Sequence, residues 1–295
     1  MAILMNNFRI IPKLEVKQFN LVKGYKLEGL RVLGSPLQYI KEYEKSLADE
    51  VIVEDVMASI LDSLIEKKLI KNIVKNTTIP LSAGGGVKNI KDAAKIFEAG
   101  ADRIILCTAA IKNLNLIKEM IQKYGSQSLA VKLEIFSKND EIEYFTFFNG
   151  REVFKCAPYE FIKNLTDLGV GEFHINFIDD DGTGKVSNTN LFKKLRSKID
   201  VPIIYSGGIS SLQDIKLIKN TGADGVAISS ALHYNFLPNF LDYKDKNSYF
   251  IRENVLGDIG NYEWLFYGYG SDQSSMVPTL SLKDIKKNIP TGRDR

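Results

Sequence analysis

Cysteine and histidine are both scarce: Cys107, Cys156, His174 and His233 are the only residues of either kind in a chain of 295. Two cysteines cannot build a disulfide framework, and their spacing is not that of a metal site. Two histidines so far apart in sequence are too few for a metal cluster. Charge of one sign is also lacking, since Lys and Arg number 39 against 36 Asp and Glu, a formal net charge of +3. Such a balance gives no basic surface of the kind that holds nucleic acid. The opening residues 1–7 lack a basic stretch followed by a long apolar one, and no later apolar run reaches membrane length. These absences lead us to expect a soluble, cytoplasmic protein with no metal, no cofactor and neither nucleic acid nor membrane as partner.

Self-similarity, by contrast, is plentiful. Lys13-Leu14-Glu15-Val16 returns as Lys132-Leu133-Glu134-Ile135, 119 positions later. Pro80, Gly85-Gly86 and Gly100-Ala101-Asp102 return as Pro202, Gly207-Gly208 and Gly222-Ala223-Asp224, each 122 positions later. Two similar halves are joined in tandem. Each half alternates strand signals with helical ones, the pattern of right-handed βα units, and eight such units close into a barrel of about 250 residues. The fold class expected is α/β, a (β/α)8 TIM barrel of two half-barrel repeats that occupies residues 1–295 as a single domain.

The first strand is expected over residues 8–16. Its period of two puts Arg9, Ile11, Lys13 and Glu15 on one side and Ile10, Pro12, Leu14 and Val16 on the other. The apolar side must meet the outer helices, so the charged side faces the lumen. A long loop carrying Lys23-Gly24 follows over residues 18–36. Further strands are expected over residues 50–56, 80–82, 103–106, 172–177, 202–205 and 225–229, with the fifth ending at Glu134 and a hairpin excursion over 143–148. Helices are expected over 37–46, 60–75, 90–98, 159–168 and 191–197, and a last one opens near residue 281. Residues 235–279, rich in Tyr, Phe and Gly, form an aromatic insertion between strand 8 and helix 8, on the C-terminal face where loops set substrate choice.

Gly84-Gly85-Gly86 with Thr108, and Gly207-Gly208 with Ser229, are related by the repeat. Glycines after a strand let backbone N–H groups approach an anion, and the next helix N-terminus adds favourable partial charge. A matched pair of such loops suits a ligand with a phosphate at each end.

Arg9-Ile10-Ile11-Pro12, Val22-Lys23-Gly24, Ala48-Asp49-Glu50, Ile79-Pro80-Leu81 with the glycine triplet, Gly100-Ala101-Asp102, Thr108-Ala109-Ala110, Gly125-Ser126-Gln127, Asp181-Gly182-Thr183, Ser206-Gly207-Gly208 and Gly222-Ala223-Asp224 together resemble the cyclase subunit of imidazole glycerol phosphate synthase. The resemblance covers about residues 8–233 and the final helix, and leaves the aromatic insertion outside. It implies a heterodimer with a class I glutaminase and transfer of ammonia through the barrel. The acceptor would be a bisphosphorylated aminoimidazole carboxamide ribonucleotide, split and cyclised to imidazole glycerol phosphate. The family's two catalytic aspartates map onto Glu15 and Glu134, and its substrate-clamping lysine onto Lys23. Gly85, Gly86, Thr108, Asp181, Gly182, Thr183, Gly207, Gly208 and Ser229 map onto the phosphate and substrate loops. Arg9, Glu50, Arg103 and Glu172 map onto the ring where ammonia enters, and Asp102 onto a residue facing the glutaminase.

The chain departs from that family at the other end of the lumen. Both aspartates are glutamates, and Lys13 and Lys132 stand two residues earlier on each strand, where the family has small uncharged residues. Cys107 and Asn176 replace an expected amide and hydroxyl. Two lumenal Lys–Glu pairs are therefore expected, holding both carboxylates ionised. Three readings stay open: the histidine-pathway cyclase, a paralogue that amidates a sugar for surface glycans, and a silent barrel that activates a glutaminase. His174, inward with Glu172 and Asn176, is expected to be a satisfied core histidine, and Asp179 and Asp180 to be strand-end polarity.

Overall fold

The computed structural model describes residues 8–240 and 279–291, without the side chains of 237–240. The first half consists of β1 (Arg9–Lys17), β2 (Asn20–Tyr25), β3 (Glu28–Gly34), α1 (Pro36–Lys45), β4 (Val51–Asp55), α2 (Lys67–Val74), β5 (Leu81–Gly84), α3 (Ile90–Glu98), β6 (Arg103–Leu106), α4 (Thr108–Lys112) and α5 (Leu114–Tyr124). The second consists of β7 (Leu129–Lys138), β8 (Glu141–Phe147), β9 (Glu152–Phe154), α6 (Pro158–Asp167), β10 (Glu172–Phe177), α7 (Thr189–Arg196), β11 (Ile203–Ser206), α8 (Leu212–Lys219), β12 (Gly225–Ile228), α9 (Ser230–Phe240) and α10 (Leu282–Asn288).

Eight strands pair in parallel in the order β10, β11, β12, β1, β4, β5, β6, β7, and β7 pairs back to β10, so the sheet closes on itself. The expected (β/α)8 barrel is what the chain forms. Period two sets its inside and outside. Ile10, Leu14 and Val16 of β1 join the apolar layer under the helices, while Ile11 meets Ile52, Ile105, Ala130, Ile204 and Ala227 in a separate cluster within the lumen.

The repeat is visible in detail. Asn89 caps α3 by accepting from the backbone of Lys91 and Asp92, and Ser211, its equivalent 122 positions on, caps α8 in a capping box with Asp214. Asp102 accepts from the amide of Leu81 at 2.8 Å, and Asp224 from that of Ile203 at 2.9 Å. These carboxylates tie neighbouring strands together at the same end of each half.

Two expectations are corrected. The first connection is a β-hairpin, β2 and β3, extending β1 antiparallel; alternation in Leu21-Val22-Lys23 is short and its partner strand is mostly exposed, so the period is faint. The second helix begins at Lys67 rather than near residue 60, because 57–62 is spent in turns capped by Asp55, which accepts from the amides of Met57 and Ala58. The hairpin excursion after β7 is present as β8 and β9. Most of the expected insertion, 241–278, lies outside the described residues; its first residues continue α9.

Candidate active site

At the N-terminal end of the barrel three strands, and the residue just before a fourth, each turn one long side chain inward. Arg9 bonds Glu50 at 2.7 Å and Glu172, and Arg103 bonds Glu172 at 2.8 Å and Glu50 at 3.2 Å, closing a ring of alternating charge. His174, buried, adds a 2.7 Å contact to Glu172, as expected of a satisfied core histidine. Burial would push the Glu172 carboxyl up, but His174 and the two guanidiniums overcome that and hold it well below the usual range. Above the ring lies the apolar lumen layer, with the next charges beyond it.

Those next charges are the lysines. Lys13 Nζ lies 3.0 Å from Glu15 and donates to Asn176 at 3.2 Å. Lys132 Nζ lies 3.3 Å from Glu134 and donates to Glu54 at 3.2 Å. Both expected Lys–Glu pairs are in place, and Asn176 and Glu54 take equivalent positions in the two halves. Lys23, on β2, is buried and shared between Glu15 at 2.8 Å and Asp181 at 2.7 Å. Burial alone would raise the Glu15 carboxyl, yet Lys13 and Lys23 hold it far below the ordinary carboxylate value. Burial opposes charge on Lys23 and Lys132 too, and their carboxylate partners prevail, pushing both up.

The second hairpin serves Glu134 differently. Thr146 donates its hydroxyl at 3.2 Å and Gly150 its amide at 3.0 Å to one oxygen of that carboxylate. The two hairpins also meet over the barrel mouth, where the Asn149 side chain donates to the Leu27 carbonyl at 3.1 Å and Arg151 reaches Glu28 at 3.5 Å.

The glycine loops obey the repeat. A Cβ on Gly86 would stand 1.8 Å from the Ser63 carbonyl, and one on Gly208 1.8 Å from the Lys185 carbonyl, both at positive φ. Gly85 and Gly207 press in the same way on the Asp55 and Phe177 carbonyls. Packing alone therefore demands glycine at these four positions. Gly182 lies against the Gly24 carbonyl, so the loop 181–183 grips the first hairpin, with Lys26 donating its amide to the Asp181 carbonyl at 2.8 Å. Thr183 turns its hydroxyl to the Asp180 carbonyl, and Asp180 accepts from Ser187 and Asn188. Thr108 accepts from the Phe148 amide, and Ser229 donates to the Lys13 carbonyl at 2.8 Å.

A cavity of about 40 Å³ opens between the ends of β4, β5, β6 and β7, lined by Glu54, Lys132, Glu134, Gly85, Gly86 and Thr108 among others. Cys107 lies on it too; burial and then the Glu134 charge push its thiol well above the normal value, so it stays protonated and a poor nucleophile.

Two positions around the site escaped the sequence reading. Glu54 follows Glu50 and Ile52 at period two and so faces the lumen, a signal that was there to be used. His233 had none: fully buried on α9, it accepts from the Tyr43 hydroxyl and donates from Nε2 to the Lys13 carbonyl at 2.9 Å, with burial first among the causes lowering its pKa to about 3. A neutral ring with this tautomer fixes the backbone that carries Lys13 and Glu15.

A family model described as histidine biosynthesis protein matches residues 9–238. An imidazole glycerol phosphate synthase subunit HisF from Legionella pneumophila is 36% identical over 211 residues, which is 71% of this chain and 99% of that protein. A putative subunit of the same name from Leptospira interrogans is 34% identical over 249 residues, 82% of this chain and 98% of its own length. The Pyrobaculum aerophilum subunit is 31% identical over 231 residues, 78% and 91% of the two chains.

Proposed function

Because the chain belongs to the histidine biosynthesis protein family, among proteins of the imidazole glycerol phosphate synthase subunit HisF type, we propose that it is the ammonia-accepting synthase subunit of a two-part glutamine amidotransferase. One observation carries this reading: a closed ionic ring at one end of the lumen is joined by an apolar layer to two buried carboxylates at the other. Neutral ammonia crosses an apolar layer at far lower cost than a charged ion does. A glutaminase docked against the ring end, where Asp102 is exposed, would deliver it there.

In this reading Glu15 and Glu134 are acid and base on opposite sides of the acceptor, and Lys23 clamps it. Gly85, Gly86, Thr108, Asp181, Gly182, Thr183, Gly207, Gly208 and Ser229 form the two ends that hold its phosphates. The acceptor is the bisphosphorylated aminoimidazole carboxamide ribonucleotide, and the reaction is its cleavage and cyclisation to imidazole glycerol phosphate. Ionised as Lys13 and Lys23 hold it, Glu15 is the base, and Glu134 faces it as the partner group, with Lys132 on one oxygen and Thr146 and Gly150 on the other.

A second reading rests on the lysines. With Lys13, Lys23 and Lys132 all engaged by carboxylates, the lumen differs from a pair of lone acids, which favours a different ammonia acceptor, such as a phosphorylated sugar, at the same site. Ammonium-supported turnover of the ribonucleotide by the isolated chain separates the two. Turnover lost in Glu15→Gln supports the cyclase. No turnover, in a preparation that still stimulates a glutaminase, moves the reading to the other acceptor; failure of both removes ammonia transfer altogether.

A further inference from the structure

The clusters around the two equivalent strands β1 and β7 share a pattern but not a charge count, and the difference falls at the floor of the site. Around β1 two carboxylates, Glu15 and Asp181, are met by two lysines, Lys13 and Lys23. Around β7 two carboxylates, Glu54 and Glu134, share Lys132. The first hairpin brings a lysine to Glu15, whereas the second brings Glu134 only a hydroxyl and an amide, both neutral. Asp55 also lines this cavity, but its carboxylate is taken up by the amides of Gln18, Met57 and Ala58.

Glu54 is the odd member. It is 5% exposed, and its Oε2 receives Lys132, while among the described residues Oε1 forms no hydrogen bond. It lines the cavity of about 40 Å³, and the equivalent position in the other half is the neutral Asn176. A buried carboxylate oxygen without a donor is costly, and a trio of two carboxylates and one ammonium leaves one negative charge unmatched. A small cation that donates N–H bonds corrects both defects at once.

We propose that the Glu54–Lys132–Glu134 floor is an ammonium site, where ammonia that has come up the lumen takes a proton from water at the open cavity, is held beneath the acceptor, and returns that proton to water when it leaves as the neutral nucleophile. Glu54 Oε1 accepts one N–H, and Glu134 lies close enough on the same cavity wall to take part. The ammonium ion takes the part that Lys23 plays around Glu15, as the second cation of a two-against-two cluster. The cavity admits ammonium. This inference rests on the ammonia-transfer reading for its biological purpose, though not for the binding itself.

The test is calorimetric titration of the full chain with ammonium chloride, with choline chloride holding ionic strength constant. Saturable binding of ammonium, weaker for methylammonium and weakened at least tenfold in Glu54→Gln, supports the site. No saturable heat in the wild type, or equal affinity in Glu54→Gln, overturns it. Should Glu54→Gln fail to fold by circular dichroism, Asn176→Asp decides: a second open carboxylate beside Lys13 is expected to add a second ammonium equivalent, and unchanged stoichiometry counts against the site. Glutaminase stimulation is measured in parallel. Ammonium binding without stimulation removes the transfer reading and leaves the site, while glutamine-coupled synthesis with the same ammonium KM in wild type and Glu54→Gln removes the site and leaves the reading.

Discussion

Lys23 Nζ lies 2.8 Å from a Glu15 oxygen, so a residue of the first hairpin supplies half the counter-charge of a carboxylate on the barrel wall. The pair is buried, and its third member, Asp181, depends on the same ammonium. Lys23→Met is expected to leave two buried carboxylates short of charge and to destabilise the fold by roughly 3–5 kcal/mol. Urea unfolding followed by circular dichroism measures this. A loss below roughly 1 kcal/mol, the range of a surface pair, would show that the hairpin is not clamped.

His233 is expected to make the protein acid-sensitive. Its pKa of about 3 in the fold lies below the ordinary 6.5, so protons favour the unfolded chain. The stability it provides is complete above pH 6.5 and is lost as pH falls towards 3, amounting to about 2 kcal/mol between pH 7 and pH 5. His233→Gln is expected to flatten that part of the stability profile in unfolding experiments at pH 5, 6 and 7. An unchanged slope would assign the acid sensitivity to other groups.

Gly86→Ala and Gly208→Ala are expected to cost more than about 2 kcal/mol each, since either Cβ meets a carbonyl oxygen at 1.8 Å from a left-handed backbone. Thermal melts check the pair. The repeat requires the two losses to be similar, and a well-tolerated alanine at only one position would break the equivalence of the loops.

Arg103→Ala opens the ring by removing its links to Glu172 and Glu50, leaving Arg9 as the remaining guanidinium between them. Glutamine-supported synthesis is expected to fall at least tenfold while ammonium-supported synthesis changes little. Parallel assays with the two nitrogen sources decide; equal losses in both would mean that the ring holds the barrel rather than admitting ammonia.

The barrel was legible because its signals repeat. The strand at Arg103–Leu106 and that at Glu172–Phe177 fall where hydrophobic runs meet Gly-Ala-Asp or glycine punctuation, and each is supported by a copy in the other half. The lumen side of β1 was readable from period two, and Lys13–Glu15 followed from it. What sequence could not give was depth across the barrel: that Lys132 spans to Glu54, or that Asp181, 158 positions from Lys23, meets it. Such pairs depend on barrel closure and loop path, which leave no local pattern. His233 was hidden for the same reason, since its partners Tyr43 and Lys13 lie on other elements.

Asn149 and Leu27, one from each half, hold the two hairpin tips together over the mouth. The duplicated chain thus closes its site with a clasp made of one piece from each copy. Neither half could form that clasp alone, and the bisphosphorylated acceptor proposed above would have to part it on arrival and on departure. Traffic through the site is consequently tied to the union of the two halves, and the duplication that shaped the barrel also built its door.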